Sequence, residues 1–278
     1  MKFLVIGDFH GKFPVKLKKI ARSKEIDFVL CTGDLGGSDK LLKIIFKYFH
    51  ENWIEIIGEK KANKLILEDY NSGLKIIKEL SKTGKNVYII DGNWDFTTQS
   101  SKERIGHLKL SSYKSIIKKS KNLKYWGRGF KVVRDVRILA FGGPVTAGDY
   151  LKKGVLKEKS RKKYIKSNQK EIKQIKKHIK KDVDILLSHY TPYGFFDKVK
   201  FKGENLMNGK HVGSIALTEF IKGAQPSLSI SGHMHEYQGS KRLGKTKIIE
   251  TGSAKEGKAV IIDWDEDKRK IRKVKFVK

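Results

Sequence analysis

The chain has 278 residues, with 61 Lys+Arg against 30 Asp+Glu, a formal net charge of +31 and 38% hydrophobic residues. Apolar content spread along the whole length excludes a disordered chain, and one cysteine, Cys31, excludes a disulfide framework or a cysteine-based zinc site. The apolar run at residues 3–6 is too short for a signal-peptide core or a membrane span, so the expected setting is a reducing cytoplasm with no membrane partner.

In chain order, strand-length apolar runs fall at 3–6, 28–31, 87–90, 136–141, 185–187, 228–230, 248–249 and 259–262. Helical patterns separate several of them, at 15–24, 39–50, 62–83, 158–181 and 213–223. Strands interleaved with helices predict an α/β fold, and the close spacing beyond about residue 241 predicts a mixed or antiparallel portion. The turn at 263–268 should join the last two strands as a hairpin. No repeat or clean boundary is visible, so 1–278 reads as a single domain. The insertion at 40–75 reads either as a helical cap over a site or as an amphipathic helix pair on the sheet face, the second being preferred.

The charge is carried by 52 Lys and only nine Arg. Lys is a solvated point charge, whereas Arg is the bidentate reader of bases and phosphates. Residues 152–181 hold fourteen basic residues and two Glu, a charge of +12, with Ile165, Ile172, Ile175 and Ile179 at helical spacing. An amphipathic surface helix docked by its isoleucines is preferred over a nucleic-acid-binding helix.

The chemistry sits where polar residues follow the apolar runs. Gly7-Asp8-Phe9-His10, Gly33-Asp34, Gly92-Asn93, His189 and Gly232-His233-Met234-His235 each end a predicted strand. The C-terminal strand ends of an open α/β sheet converge on the ligand site. In extended chain Asp8 and His10 would point the same way, as would His233 and His235. A preceding glycine would let the chain turn sharply there. Carboxylate, amide and imidazole donors suit Mn²⁺, Fe²⁺ or Zn²⁺ rather than Ca²⁺. Seven donors exceed what one small cation with an open position uses, and suit two cations sharing a carboxylate.

This ordered set resembles the calcineurin-like metallophosphoesterase superfamily, over residues 7–235. Ser188-His-Tyr-Thr-Pro-Tyr-Gly194, His211-Val-Gly-Ser214 and Glu250-Thr-Gly-Ser253 are also similar to the archaeal Icc-related phosphohydrolases. The resemblance implies an α/β sandwich of mixed sheets flanked by helices, with a dinuclear metal site at strand C-terminal ends. It implies one metal on Asp8, His10 and His235, the other on Asn93, His189 and His233, and Asp34 bridging both. The ions would be manganese first, with iron, zinc, nickel or cobalt as alternatives. The implied activity is phosphoester hydrolysis by metal-activated hydroxide, on phosphodiesters in preference to monoesters. The net charge of +31 makes nucleotides or nucleic acid the expected substrate class, and the oligomeric state is left open.

One position departs from the family. Its usual Gly-Asn-His-Asp/Glu reads Gly92-Asn93-Trp94-Asp95 here. An indole cannot transfer a proton; its N–H can only donate a hydrogen bond. His211 is the first stand-in for the missing proton donor and His107 a weaker one, while His50 and His178 fall in helical patterns. Asp95 is expected either to hydrogen-bond a backbone N–H or ligating side chain, or to cap a following helix. The alternative to an enzyme is a weakly active or non-catalytic metal-binding scaffold, or a nucleic-acid-binding protein, on the same fold.

Overall fold

A computed structural model of the chain describes residues 1–48, 51–96, 108–200 and 207–278. Strands covered on both faces read as unbroken apolar runs, and that is how the centre of each sheet is built. In the first sheet, β1 (Lys2–Ile6), β2 (Phe28–Cys31), β3 (Asn86–Ile89) and β4 (Leu123–Tyr125) run parallel in that order. The hairpin of β11 (Ala259–Asp265) and β12 (Lys270–Val277) joins antiparallel on the other side of β1. The second sheet follows the order β5 (Arg128–Val133), β6 (Val136–Phe141), β7 (Ile185–Ser188), β8 (Leu228–Ser231), β10 (Thr246–Glu250), β9 (Gly239–Leu243). In it β6, β7, β8 and β10 are parallel, with antiparallel edges.

The two-residue period of each strand sorts its side chains into layers. Phe3, Val5, Phe28 and Leu30 meet Ile138, Ala140, Ile185, Leu187 and Ile230 between the sheets. Leu4, Ile6, Val29 and Cys31 face outward, under the helices Val15–Arg22 and Glu59–Ser81. On the far side, Leu139, Phe141 and Leu186 pack against the helices Glu158–Lys176 and Ile215–Ala224. The chain is thus an α/β sandwich of two mixed sheets flanked by helices, as the sequence implied. Among the described residues no helix is long and apolar enough to cross a membrane.

The expected strands all form, within a few residues. The missed ones, β4, β5 and β9, are edge or short strands carrying Lys124, Lys131, Lys241 and Arg242. Charge on an edge strand hides the apolar alternation while discouraging edge-to-edge pairing. The closing hairpin forms, but Asp263, Trp264 and Asp265 belong to β11 and not to the turn; Trp264 is fully buried between the sheets.

In the insertion, Glu59–Ser81 lies on the sheet face through Ile66, Tyr70, Ile76, Ile77 and Leu80. The helix Asp39–Lys47 starts beside the site, with its Ser38 cap accepting from Leu41 N–H. The basic helix Glu158–Lys176 stops five residues short of its predicted end at 181. It is docked by Ile172 and Ile175, with Ile179 in the following turn, against the core. Its buried Glu171 also accepts from Thr146 N–H and Oγ1. Residues 49–50, 97–107 and 201–206, and with them His50 and His107, lie outside the described residues.

Candidate metal centre

Three strands of the first sheet and two of the second end together. Asp8 and His10 follow β1, Asp34 follows β2 and Asn93 follows β3; His189 follows β7, while His233 and His235 follow β8. The site therefore spans one end of the sandwich and not the edge of a single open sheet.

The side chains form two adjoining clusters. Asp8, His10 and His235 bring their donor atoms within 4.8 Å of one another, and so do Asp34, His189 and His233. In the first, His10 Nε2 and His235 Nε2 are 3.0 Å apart, and His235 Nε2 is 3.2 Å from Asp8 Oδ1. In the second, His189 Nε2 is 2.8 Å from Asn93 Oδ1 and 3.5 Å from Asp34 Oδ2. Asp34 Oδ2 also stands 3.8 Å from His10 Nε2, so its carboxylate lies between the clusters.

His233 and His235 fall in different clusters, contrary to the extended-chain reading. The reason is backbone conformation. Asp8, His10, Asp34 and His233 all have positive φ, at 56°, 41°, 53° and 73°. Left-handed residues break the alternation of a strand, and their concentration here is the local strain that marks functional sites. The preceding glycines serve mainly close approach. A Cβ on Gly92 would lie 1.9 Å from Asp34 Oδ1, and one on Gly232 would lie 2.2 Å from Asp8 Oδ2. Only Gly33 among them, at φ +96°, also needs glycine's conformational freedom.

Neighbouring groups hold the donors in place. His189 Nδ1 donates to the Thr32 carbonyl at 2.8 Å, which turns Nε2 toward the cluster. Asp8 accepts from His233 N–H at 3.0 Å, and its own carbonyl accepts from Ser253 Oγ at 2.8 Å. Asp95, 1% exposed, accepts from the backbone N–H groups of Asp34, Leu35 and Gly92, each at 2.8 Å. It thereby ties the loop after β2 to the loop after β3, the first of the roles expected for it. Tyr190 stacks on His233 with ring centroids 3.9 Å apart.

The electrostatics favour a cation. Burial raises Asp8, but the His235 hydrogen bond and the surrounding imidazoles outweigh it and bring the carboxyl down to about 2. Burial lowers His10, and burial with the nearby His189 pushes His233 well down, so both rings are neutral donors. Burial alone would lower His235 too, yet its bond to Asp8 carries it upward. Burial and then the Asp34 charge push Asp95 up to about 7, against the pull of its backbone donors. Among the described residues neither Asp8 nor Asp34 has a Lys or Arg ion-pair partner; their ion-pair partners are imidazoles. Buried carboxylates, a side-chain amide and imidazoles form a donor set that fits divalent transition-metal ions.

Trp94 is held at the mouth. Its N–H donates to Asp34 Oδ1 at 2.8 Å and its indole Nε1–H to Asp69 Oδ1 at 2.9 Å. Trp94 lines an open cleft together with His10, His235, Leu42, Asp39 and Lys255. His211 turns Nδ1 to Asp197 Oδ1 at 2.8 Å, and its N–H donates to Asp149. None of the seven clustered residues is among its hydrogen-bond or ion-pair partners. Cys31 is a buried strand residue of the core, as expected. Sequence reasoning missed Thr32, Asp69, Tyr190 and Lys255. Thr32 and Asp69 work from positions outside the quoted motifs, but Tyr190 lies within Ser188–Gly194 and Lys255 closely follows Glu250-Thr-Gly-Ser253.

A family model described as calcineurin-like phosphoesterase matches residues 1–237. One crystal structure superposes with a TM-score of 0.61 at 19% identity, covering 99% of this chain and 97% of its own. The crystal structure of TT1561 of Thermus thermophilus gives 0.50 at 16% identity, with 99% and 97% covered. That of a dimetal phosphatase from Danio rerio gives 0.50 at 10% identity, with 94% and 92% covered. At these identities the likeness is one of fold. No curated protein matches the chain.

Proposed function

The chain belongs to the calcineurin-like phosphoesterase family, and from that premise we propose that it is a dinuclear metal-dependent phosphoesterase acting on phosphodiesters in preference to monoesters. The observation that carries this reading is the pair of donor clusters with the Asp34 carboxylate between them. Asp8, His10 and His235 would hold one ion, Asn93, His189 and His233 the other, and Asp34 both. Manganese is our first choice, with iron, zinc, nickel or cobalt as alternatives. When bound, such a pair supplies an activated water and positive charge for the phosphoryl oxygens.

The chain's own residues do the rest. The Thr32, Ser253 and Asp95 hydrogen bonds pre-set the donors, so little reorganisation would accompany loading. Trp94 cannot protonate a leaving oxygen. His211, oriented by Asp197, is our candidate donor for that proton, and its side chain is 36% exposed. The whole chain is read as one phosphoesterase unit of the cytoplasm. The net charge of +31 would draw in anionic substrates, nucleotides and nucleic acid among them.

The test is metal content together with turnover of bis(p-nitrophenyl) phosphate by manganese-loaded protein. Two ions per chain and turnover are expected, with both largely lost in Asp34→Asn. A saturated stoichiometry of one ion would refute the dinuclear reading. Two bound ions with no turnover of any ester would favour a metal-binding scaffold.

A further inference from the structure

The two imidazoles of the second cluster are held in different ways. His189 Nδ1 donates to the Thr32 carbonyl at 2.8 Å, so a hydrogen bond fixes the orientation of that ring. Among the described residues the His233 ring has no hydrogen-bond or ion-pair partner; only its backbone N–H is engaged, on the two Asp8 carboxylate oxygens. The His233 backbone turns left-handed at φ 73°, so the strand before it does not dictate where the ring points. A ligating imidazole nearly always has an outer partner that sets its ring, and for His233 that partner is not polar.

Its neighbour is an aromatic face. Tyr190 lies over the His233 ring with centroids 3.9 Å apart and planes 28° from parallel, whereas His189 meets that ring edge-on at 5.1 Å. Tyr190 is itself anchored. Its carbonyl accepts from Ser188 Oγ at 2.8 Å, and its side chain packs against the core formed by β6, β7 and the helix Ile215–Ala224. A ring in face contact cannot tilt toward its neighbour without overlap, and tilting away forfeits the contact. The first cluster is built otherwise: the His10 and His235 rings face each other at 4.7 Å, and among the described residues neither makes a ring contact with Tyr190.

We propose that Tyr190 is a positioning residue for the ion assigned to Asn93, His189, His233 and Asp34, its ring face setting the His233 imidazole where a hydrogen bond would otherwise do so. This rests on the dinuclear reading above. The role belongs to the ring of Tyr190 and not to its hydroxyl. It makes the two ions unequal in what supports them, so removing the ring weakens one and leaves the other as it was.

The test is calorimetric titration of the chelator-treated full chain with manganese, followed by electron paramagnetic resonance of the loaded protein. Wild type should take two ions and show the signal of a coupled pair. Tyr190→Leu keeps apolar bulk against the core and should weaken one ion about tenfold, the lower end for loss of an outer partner. The other ion should bind as in wild type, which also shows that the fold persists, and the spectrum should gain the signal of an isolated ion. Tyr190→Met, with a flexible chain that fills irregular space, is the second variant without a ring and should behave alike. Tyr190→Phe keeps the ring and should match wild type in both readouts. On a His233→Ala background Tyr190→Leu should change nothing further, because a residue that acts through His233 has no effect once that imidazole is gone. Equal weakening of both ions, wild-type binding in both ring-free variants, a loss in Tyr190→Phe as large as in Tyr190→Leu, or a further loss on the His233→Ala background overturns the proposal and leaves the dinuclear reading intact. A wild type that saturates at one ion overturns the dinuclear reading, and the proposal with it.

Discussion

Asp95 offers the sharpest test of how the site is held. Its Oδ2 accepts from Asp34 N–H and Gly92 N–H, and its Oδ1 from Leu35 N–H, all at 2.8 Å in a buried setting. In Asp95→Asn the amide oxygen can keep the first two donors, but the NH₂ group then faces Leu35 N–H. One buried donor left unsatisfied costs about 1–3 kcal/mol. Relief of the repulsion with Asp34, which pushes Asp95 up to about 7 together with burial, keeps the asparagine variant near the low end. Asp95→Ala strips all three donors at once and should cost at least about 3 kcal/mol, a fall in melting temperature of roughly 6–12 °C for a domain of this order of size. Because Asp34 and Gly92 carry the loops that present Asp34 and Asn93, manganese affinity should fall about 10–100-fold in the alanine variant. Thermal unfolding of chelator-treated protein and manganese titration measure the two effects separately. If alanine proves as stable as wild type, or less damaging than asparagine, Asp95 is not the tie between the loops.

Other expectations follow from individual residues. Burial pushes the Cys31 thiol far up, so it should resist alkylation until the protein unfolds, and fast labelling of the native chain would contradict its place in β2. Bonds to Lys18 and Lys82 hold Glu79 down to about 2. A depressed carboxylate stabilises above its unfolded value of about 4.3 and loses that contribution as pH falls toward about 2. Glu79→Gln should therefore cost up to about 1 kcal/mol at pH 7 and nothing near pH 2, as read by denaturant titration across that window. Replacing Lys173, Lys176, Lys177 and Lys180 by Gln should weaken nucleic-acid binding equally for all sequences and flatten its salt dependence; unchanged affinity would leave those residues as solvation of a docked helix.

Much of this was legible before any coordinates, for definite physical reasons. Central strands must be apolar on both faces, so β1, β2, β6, β7 and β8 announced themselves as unbroken runs. The polar residues ending them stood out against that background. Edge strands were hidden because their outer face carries Lys and Arg, as in β9. That the strands divide between two sheets came only from the family resemblance and not from the run of residues, since pairing is set by long-range packing and not by any local pattern. The same gap explains the error over His233 and His235: period-two reasoning applies to strands, and both lie just beyond one, where His233 turns left-handed at φ 73°.

The change at position 94 shows how a site redistributes roles when one member changes. An imidazole there would call for a carboxylate to orient it, and Asp95 is the adjacent one in sequence. Asp95 instead spends both oxygens on the backbone of two loops. The carboxylate that meets the side chain of residue 94 is Asp69, from the helix Glu59–Ser81. The helical insertion thus contributes to the site through the buried Asp69 on the sheet face and through Leu42 at the mouth. A Trp94→His change would consequently not restore a His–Asp95 pair by itself. The shorter ring would have to reach Asp69 or displace a backbone donor from Asp95, while vacating the apolar surface it shares with Leu42. Proton donation is lost from this position, and the indole Nε1–H instead ties the loop after β3 to the helix Glu59–Ser81 through Asp69.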